Sequence, residues 1–219
     1  MPRTSGSISA DGGQRRASYQ RVRSRETKRS LVAAAMALWR TNGYAQTTVA
    51  DICRAAGVSR ALFYFHFPAK EDVLFEVGLA STRAARSTVQ QQIRGEYDLE
   101  DVILRALRSL ERSMARNPRD LIVETILEGY RHEQRILTGD EDAHADADMF
   151  GDLFAKAQAD GKLASDVDVA HLSRLAQMHV SEGVRHWAMG GFGGRSFADV
   201  VSADIGALIS GFDTRSRNT

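Results

Sequence analysis

The chain has 219 residues, 43% of them hydrophobic and only three of them proline, which favours a packed, mostly helical protein and leaves no apolar run long enough to cross a membrane. Its single cysteine, Cys53, excludes an internal disulfide and a cysteine-based metal cluster, and the lack of a signal-peptide pattern after Met1 predicts a cytoplasmic protein. The net charge of +1 divides into +9 for residues 1–70 and −8 for residues 71–219, so the first part is suited to contact with nucleic-acid phosphates.

The N-terminal residues 1–23 are rich in glycine, serine and arginine and have no apolar periodicity, so we expect a disordered basic arm. Two roles remain open for its arginines: contact with phosphates or the minor groove, or a solvated tail without a specific role. The first helix is predicted from about Ser24 to Asn42, because Asn42 and Gly43 form a typical stop signal.

Two short helices separated by a tight turn are predicted within residues 47–70, TTVADICRAAGVSRALFYFHFPAK. Thr48 begins a T-x-x-D capping box for the first of them, and Gly57 supplies the positive φ at which it ends. Ser59 caps the second helix, and Pro68 limits that helix to about two turns. Two such helices around a glycine turn form a helix-turn-helix, which places its second helix in the DNA major groove.

The same segment resembles the Tet repressor (TetR) family of bacterial regulators, in which it typically has the sequence T-x-x-x-I-x-x-x-A-G-V-S-x-x-x-L/F-Y-x-H-F-x-x-K-E/D-x-L. The resemblance covers roughly residues 25–80, and the matching residues in this chain are Thr48, Ile52, Ala56, Gly57, Val58, Ser59, Phe63, Tyr64, His66, Phe67, Lys70, Glu71 and Leu74. It implies an all-α fold in which a three-helix DNA-binding head, residues 24–69, is joined through the fourth helix to a helical effector-binding and dimerisation body, residues 70–214.

The DNA contacts follow partly from the resemblance and partly from the residues. The resemblance implies that Tyr64 gives its hydroxyl to a phosphate and that His66 and Lys70 hold the DNA backbone, contacts that set register without selecting sequence. Arg60 is the candidate base-contacting residue, with another phosphate contact as the alternative, and Leu62 replaces the usual Thr or Ser and is suited to a thymine methyl. The predicted contact set is Thr47, Thr48, Ser59, Arg60, Ala61, Leu62, Tyr64, His66 and Lys70.

Helical periodicity continues through the rest of the chain, with no alternating pattern that would indicate a strand. The fourth predicted helix starts near Lys70. Five more are predicted at about 99–117, 118–137, 149–159, 168–189 and 197–212. The resemblance implies that the last two form a four-helix bundle with a second copy, although an intramolecular core is the alternative. Their apolar stripes are Leu172, Leu175, Ala176, His179 and Val180 in one helix, and Val200, Val201, Ile205, Leu208 and Ile209 in the next.

An effector pocket is expected between the fourth helix and the middle helices. Its candidate lining residues, each of which has plain core as the alternative, are Met114, Tyr130, Phe150, Phe154, Met178 and Trp187. The acidic segment 139–148, GDEDAHADAD, lacks the central glycine and spaced glutamate of a calcium loop, so we interpret it as an acidic helix start and expect no metal.

The resulting hypothesis is a ligand-responsive transcriptional repressor that binds a palindromic double-stranded DNA operator as a homodimer. It has an unknown small-molecule effector and no cofactor, and it is neither an enzyme nor bound to a membrane. Two alternatives remain open. One is a DNA-binding protein without effector control, acting as an activator or architectural protein, and the other is a helical enzyme that depends on a metal held by the acidic segment.

Overall fold

The computed structural model describes residues 9–138 and 148–216, and this part of the chain is entirely α-helical, which confirms the predicted fold class. Its helices are α1 Ser9–Asn42, α2 Val49–Ala56, α3 Arg60–His66, α4 Lys70–Gln92, α5 Leu99–Met114, α6 Arg119–Leu137, α7 Gly151–Ala159, α8 Val169–Ala188 and α9 Phe197–Ser216. The chain divides into two compact units, with the boundary between Val73 and Leu74.

Unit 1 contains α1, α2, α3 and the first turn of α4, and its core is built from residues at helical spacing. Leu31, Ala35 and Trp39 lie one turn apart on α1 and are buried. Ile52 of α2 and Phe63 of α3 are also buried, so the two short helices are held by apolar contact as well as by their caps. Full burial of side chains of this size stabilises a fold by about 1.5–3 kcal/mol each.

The start of α1 differs from the sequence prediction. The helix begins at Ser9, whereas we predicted a disordered arm through residue 23 and a start near Ser24. Residues 14–23 contain no proline, and a helix already nucleated by its packed part gains one backbone hydrogen bond for each residue added. The apolar pattern shows where this helix is packed and carries no information about how far it continues into solvent. Residues 1–8 of the expected arm lie outside the described residues.

Unit 2 is a bundle in which α5 packs on α9, and α8 packs on α6, α7 and α9. The buried stripe of α5 includes Val102, Ala106 and Leu110, at spacings of four residues. Gly183 lets α8 and α9 approach closely, because a Cβ atom at this position would lie 2.7 Å from Val201 Cγ2. Bulk at position 183 would therefore push the two helices apart.

Helix boundaries in unit 2 agree with the predictions to within a few residues. α5 ends at Met114, three residues early, and Pro118 is the N-cap residue of α6 although we placed it inside that helix. Only Asp148 of the acidic segment is described, and its Oδ1 accepts hydrogen bonds from the backbone N–H groups of Phe150 and Gly151 at 3.0 Å. This contact matches the role of an acidic side chain at a helix start.

The described residues bear on membrane insertion and on metal binding. Within them, no helix combines the length and the apolar character that crossing a bilayer requires. The same part of the chain brings together no group of three or more His, Cys, Asp or Glu side chains that could hold a metal ion. The candidate metal segment itself lies mostly in residues 139–147, outside the described part.

Candidate nucleic-acid interface and effector cavity

The turn before α2 is held by a complete capping box. Thr48 Oγ1 accepts a hydrogen bond from the Asp51 backbone N–H at 3.2 Å, and Asp51 Oδ2 accepts one from the Thr48 backbone N–H at 3.1 Å. The hydrogen bond from the Thr48 side chain is the main cause of a lowered pKa for Asp51. Gly57 ends the helix with φ = +67°, in the left-handed region that favours glycine. The predicted start of α2 at the Thr48 cap and its predicted end at Gly57 are confirmed.

The second helix of the motif, α3, is fixed by the two phenylalanines predicted to share its inner face. Phe63 and Phe67 are buried four residues apart, with ring centroids 5.8 Å apart. Ser59 caps the helix, since its Oγ accepts a hydrogen bond from the Leu62 backbone N–H at 3.2 Å. Fixing the inner face in this way fixes the direction in which the other side chains point.

The exposed side of α3 forms what we call the recognition surface: Arg60, Ala61, Leu62, Tyr64 and Phe65. Tyr64 is 52% exposed, which leaves its hydroxyl end in solvent while its ring touches Phe63 edge-on at 5.4 Å between centroids. An arginine, a tyrosine and apolar side chains on one exposed helix face match the chemistry of base edges, thymine methyl groups and phosphates.

Phe65 belongs to this surface and was missed in the sequence analysis. It is 77% exposed, an unusual position for so large an apolar side chain. The family pattern leaves this position undefined, so it gave no signal there. A helical wheel anchored on the inner residues Phe63 and Phe67 would have placed Phe65 on the outer face.

Thr47 is a correction to the predicted contact set. Its side chain is only 1% exposed, and its hydroxyl donates a hydrogen bond to the Gly43 carbonyl at 2.8 Å. The residue therefore closes the turn after α1, and Thr48, which is exposed, is the threonine at the surface. The sequence offered two adjacent threonines and no means of telling the structural one from the exposed one.

Lys70 has a structural role that the sequence did not indicate. Its Nζ atom donates hydrogen bonds to the backbone carbonyls of Tyr44 and Thr47, both at 3.1 Å, and lies 4.0 Å from the centre of the Tyr44 ring. The Tyr44 hydroxyl in turn donates to Glu71 Oε1 at 3.0 Å. An ammonium group has three N–H donors. Two of those of Lys70 are bound to carbonyl oxygens, which leaves one that can donate to a phosphate.

We expect Lys70→Ala to change two measurable quantities. Losing two charge-assisted hydrogen bonds should lower the free energy of unfolding of unit 1 by about 1–2 kcal/mol, given the partial exposure of the site. Losing a phosphate contact should reduce the slope of log K against log salt for DNA binding by about one. Urea unfolding and a salt titration of DNA affinity measure the two effects separately, and an unchanged slope would make Lys70 purely structural.

His66, at the end of α3, is half-buried. Its pKa is lowered from the ordinary value, chiefly because burial disfavours the charged imidazolium, and the positive charge of Lys28 acts in the same direction. A lowered pKa keeps the ring neutral at neutral pH. A phosphate beside the ring would act in the opposite direction, because its negative charge favours the imidazolium and raises the pKa.

Unit 2 contains a cavity of about 380 Å³, within the size range of small-molecule sites. Its lining comes from α4, α5, α6 and α8, together with Asn117 and Met149, which lie outside helices. Two of the candidate lining residues, Met114 and Tyr130, belong to this lining. The lining also includes residues that no pattern in the sequence indicated, among them Phe75, Asn117, Thr125 and Gln177.

Four predicted pocket residues lie elsewhere. Phe150 and Phe154 are fully buried in the core of unit 2, where their rings pack on each other at 5.8 Å between centroids. Trp187 is partly buried, with the Arg119 guanidinium 5.4 Å from its ring centre. Met178 is exposed on the outer side of α8. Helical periodicity identified the buried faces, but which buried side chains border empty space depends on tertiary packing.

The apolar stripes of α8 and α9 divide between two faces. Leu172, Ala176 and Val180 are buried inside unit 2, as are three of the α9 residues: Val201, Ile205 and Ile209. Leu175 and Met178 of α8 instead line a shallow surface groove that also includes His179, Glu182, Asp204 and Leu208. Part of each stripe is therefore intramolecular core, and the remainder is a partly apolar outer face.

An all-helical chain with an exposed helix-turn-helix surface in a basic segment defines the class of DNA-binding transcriptional regulators. Residues 31–77 match the family model described as "Bacterial regulatory proteins, tetR family". Residues 31–77 therefore form a DNA-binding segment of the TetR-family type, and the chain is a DNA-binding transcriptional regulator.

Individual proteins are similar to this chain in sequence or in fold. The HTH-type transcriptional regulator UidR of Escherichia coli K12 is 25% identical over 149 residues, which cover 68% of this chain and 75% of UidR. Among solved structures, the TetR-family repressor FadR of Thermus thermophilus in complex with lauroyl-CoA has a TM-score of 0.68 at 24% identity, covering 83% of this chain and 92% of that one. FadR from Bacillus subtilis in complex with stearoyl-CoA has a TM-score of 0.58 at 20% identity, covering 83% and 97%.

Proposed function

We propose that the chain is a homodimeric, ligand-responsive transcriptional repressor that acts on a palindromic or near-palindromic operator. The observation that carries the DNA part is the recognition surface, which is exposed on a helix anchored by Phe63 and Phe67 inside a segment of net charge +9. Phosphate contacts by the basic segment would supply affinity, and the α3 side chains would supply sequence preference.

Dimerisation is supported by two considerations. A recognition helix of seven residues contacts too few base pairs to be selective alone, and two heads on successive major grooves solve this problem. The groove containing Leu175, Met178 and Leu208 supplies apolar surface on the outer side of α8 and α9 for such contact. The expected solution mass is twice the 24.1 kDa of the single chain.

Ligand control is supported by the cavity and by α4. This helix begins at Lys70, which holds the turn before α2, and its residues Phe75 to Thr82 contribute to the cavity lining. A ligand that changes the direction of α4 would change the spacing of the two heads and release the operator. Moving the ratio of operator-binding to non-binding conformations from 99:1 to 1:99 requires the ligand to bind the non-binding conformation more tightly by about 5.5 kcal/mol.

Selection of bound DNA from a random pool, with the full chain, tests the proposal. The expected result is an enriched inverted repeat whose half-sites lie about one helical turn apart, or a multiple of it. Light scattering on the complex should give two chains per site. An enriched single half-site, or a complex containing one chain, would contradict the dimeric operator mode.

Arg60→Ala is expected to relax the sequence preference at one operator position. A bidentate arginine–guanine pair contributes about 1–3 kcal/mol of discrimination, so about 5- to 150-fold should be lost there and little elsewhere. Tyr64→Phe is the contrasting variant, because loss of a phosphate contact should weaken binding to all sequences alike. Affinities for a panel of single-base operator variants distinguish the two, and equal losses for Arg60→Ala on every sequence would make Arg60 a backbone contact.

A further inference from the structure

The described lining of the cavity holds no permanently charged basic side chain, and its one imidazole is that of His132. Among the described residues that line it, none is lysine or arginine, and the carboxylate present is that of Glu133. Residues 139–147, which lie outside the described part, contain no lysine or arginine either. A carboxylate, sulfonate or phosphate moved from water into such a site would lose its hydration without gaining an opposite charge, which is strongly unfavourable.

Four polar side chains of the lining, Ser81, Thr82, Asn117 and Thr125, have their donors engaged within the protein. Thr82 and Thr125 each donate to a backbone carbonyl of their own helix, at 3.3 and 2.8 Å. Asn117 Nδ2 donates to the Ser113 carbonyl at 3.2 Å, and the Ser81 hydroxyl lies 3.1 Å from that of Ser113. These residues therefore offer few donors to a ligand.

Gln177 is different. Its Oε1 atom is buried and has no hydrogen-bond partner among the described residues, although the side chain lies in the cavity lining. A buried acceptor without a donor destabilises the folded protein. A ligand that donates a hydrogen bond to it removes this destabilisation and therefore binds more tightly. The ligand complementary to this cavity therefore has a hydrogen-bond donor facing Gln177 and an apolar surface elsewhere.

We propose that the effector is an uncharged, mainly apolar molecule that donates a hydrogen bond to Gln177 Oε1, and that the cavity selects against anions of the same shape. This inference rests on the proposed ligand control of the same chain. It separates this chain from the two FadR structures named above, whose acyl-CoA ligands carry phosphates that the cavity would not neutralise.

A pair of fluorescent probes with one skeleton tests the charge preference. N-phenyl-1-naphthylamine is uncharged and has one N–H donor, and 8-anilino-1-naphthalenesulfonate is the same skeleton with an added sulfonate. Titration of the full chain at pH 8, where an ordinary histidine is neutral, should give one amine probe bound per chain. The sulfonate should bind at least tenfold more weakly. Equal or tighter binding of the sulfonate would overturn the proposal.

Gln177→Leu tests the hydrogen bond. We expect it to weaken binding of the uncharged probe about fivefold while leaving the melting temperature unchanged or higher, because an unpaired buried acceptor is replaced by an apolar group. Weaker binding together with undiminished stability is a combination that general structural damage would not produce. Gln134→Leu makes the same chemical change at an exposed residue outside the lining and should leave binding unchanged. Unchanged binding in Gln177→Leu would overturn the role of Gln177.

Gly129→Phe tests whether the probe occupies this cavity. Gly129 belongs to the lining, and a Cβ atom added there would meet nothing within 4 Å, so a side chain can enter open space. We expect at least a tenfold loss of probe binding with the helical circular dichroism retained. Full binding by a folded Gly129→Phe variant would place the probe elsewhere and overturn the assignment.

Operator occupancy measured in the same samples separates this inference from the proposed function. Probe binding that obeys the expectations above but leaves operator occupancy unchanged would support the cavity chemistry and contradict ligand control. Release of the operator by the sulfonate, lost in Gly129→Phe, would support ligand control and overturn the selection against anions.

Discussion

Phe63→Ala is expected to abolish DNA binding by unfolding unit 1. Phe63 is fully buried and is in ring contact with both Tyr64 and Phe67, so its removal deletes the contact that orients the recognition surface. Truncating a buried phenylalanine costs about 3–5 kcal/mol, a large part of the stability of a small domain. Binding of the uncharged naphthylamine probe in unit 2 should persist, because the cavity lining lies wholly within residues 75–184.

Phe65→Ala is the matched control, since it makes the same change two residues along the same helix at a side chain that is 77% exposed. It should leave the free energy of unfolding within about 0.5 kcal/mol of the original and alter only the affinity or sequence preference for DNA. Urea unfolding followed by circular dichroism, with DNA affinity measured in parallel, distinguishes the two variants. A stable, DNA-binding Phe63→Ala protein would mean that α3 is not held by its inner face.

The contrast between these two phenylalanines shows what the sequence could specify. The caps of α2 and α3 are local: Thr48, Gly57 and Ser59 act within three residues of the backbone groups they satisfy, so short motifs were enough to predict them. The inner face of α3 followed from the four-residue spacing of Phe63 and Phe67. These local rules, together with the helical period, account for the predicted fold class and for most helix boundaries.

The cavity of unit 2 was the least predictable part, and the reason is physical. A cavity is space left over where helices far apart in sequence fail to fill the volume between them, and no helical period records this volume. Phe150 and Phe154 are aromatic residues of the kind that often contact ligands, yet both are fully buried in the core of unit 2. Gln177 was not selected at all, because a single amide on a helix gives no signal until its surroundings are known.

Lys70 and Thr47 illustrate a second limit. The resemblance implied a DNA contact for Lys70, and Thr47 or Thr48 was expected to meet a phosphate. In the structure, Lys70 Nζ donates to the carbonyls of Tyr44 and Thr47, and the Thr47 hydroxyl donates to that of Gly43. These are contacts to backbone oxygens in a turn, and backbone oxygens have no sequence signature. A residue kept for the shape of the head therefore has the same appearance in the sequence as a residue kept for DNA.

Glu128→Ala is expected to destabilise unit 2 by about 3 kcal/mol. The Glu128 carboxylate is 1% exposed and accepts hydrogen bonds from Arg135 at 2.9 Å and from Arg131 at 3.1 Å. Hydrogen bonds to charged groups contribute about 1.5–3 kcal/mol each. Breaking a buried ion pair costs about 3–5 kcal/mol, and we expect a value near the lower end because both arginines are partly exposed. The alanine also leaves a small cavity, which adds to the loss.

Glu182→Ala provides the comparison, because Glu182 also pairs with an arginine three residues further along its helix but is 55% exposed. Exposed pairs of this kind contribute about 0–1 kcal/mol, since water competes for both charges. Urea unfolding of the two variants should therefore differ by about 2 kcal/mol or more, and Glu128→Gln should fall between them because it keeps the shape and loses the charge. Equal losses for Glu128→Ala and Glu182→Ala would show that burial of the carboxylate adds nothing to its pairing. A loss confined to Glu128→Ala would identify this ion pair, in the middle of α6, as a main support of unit 2.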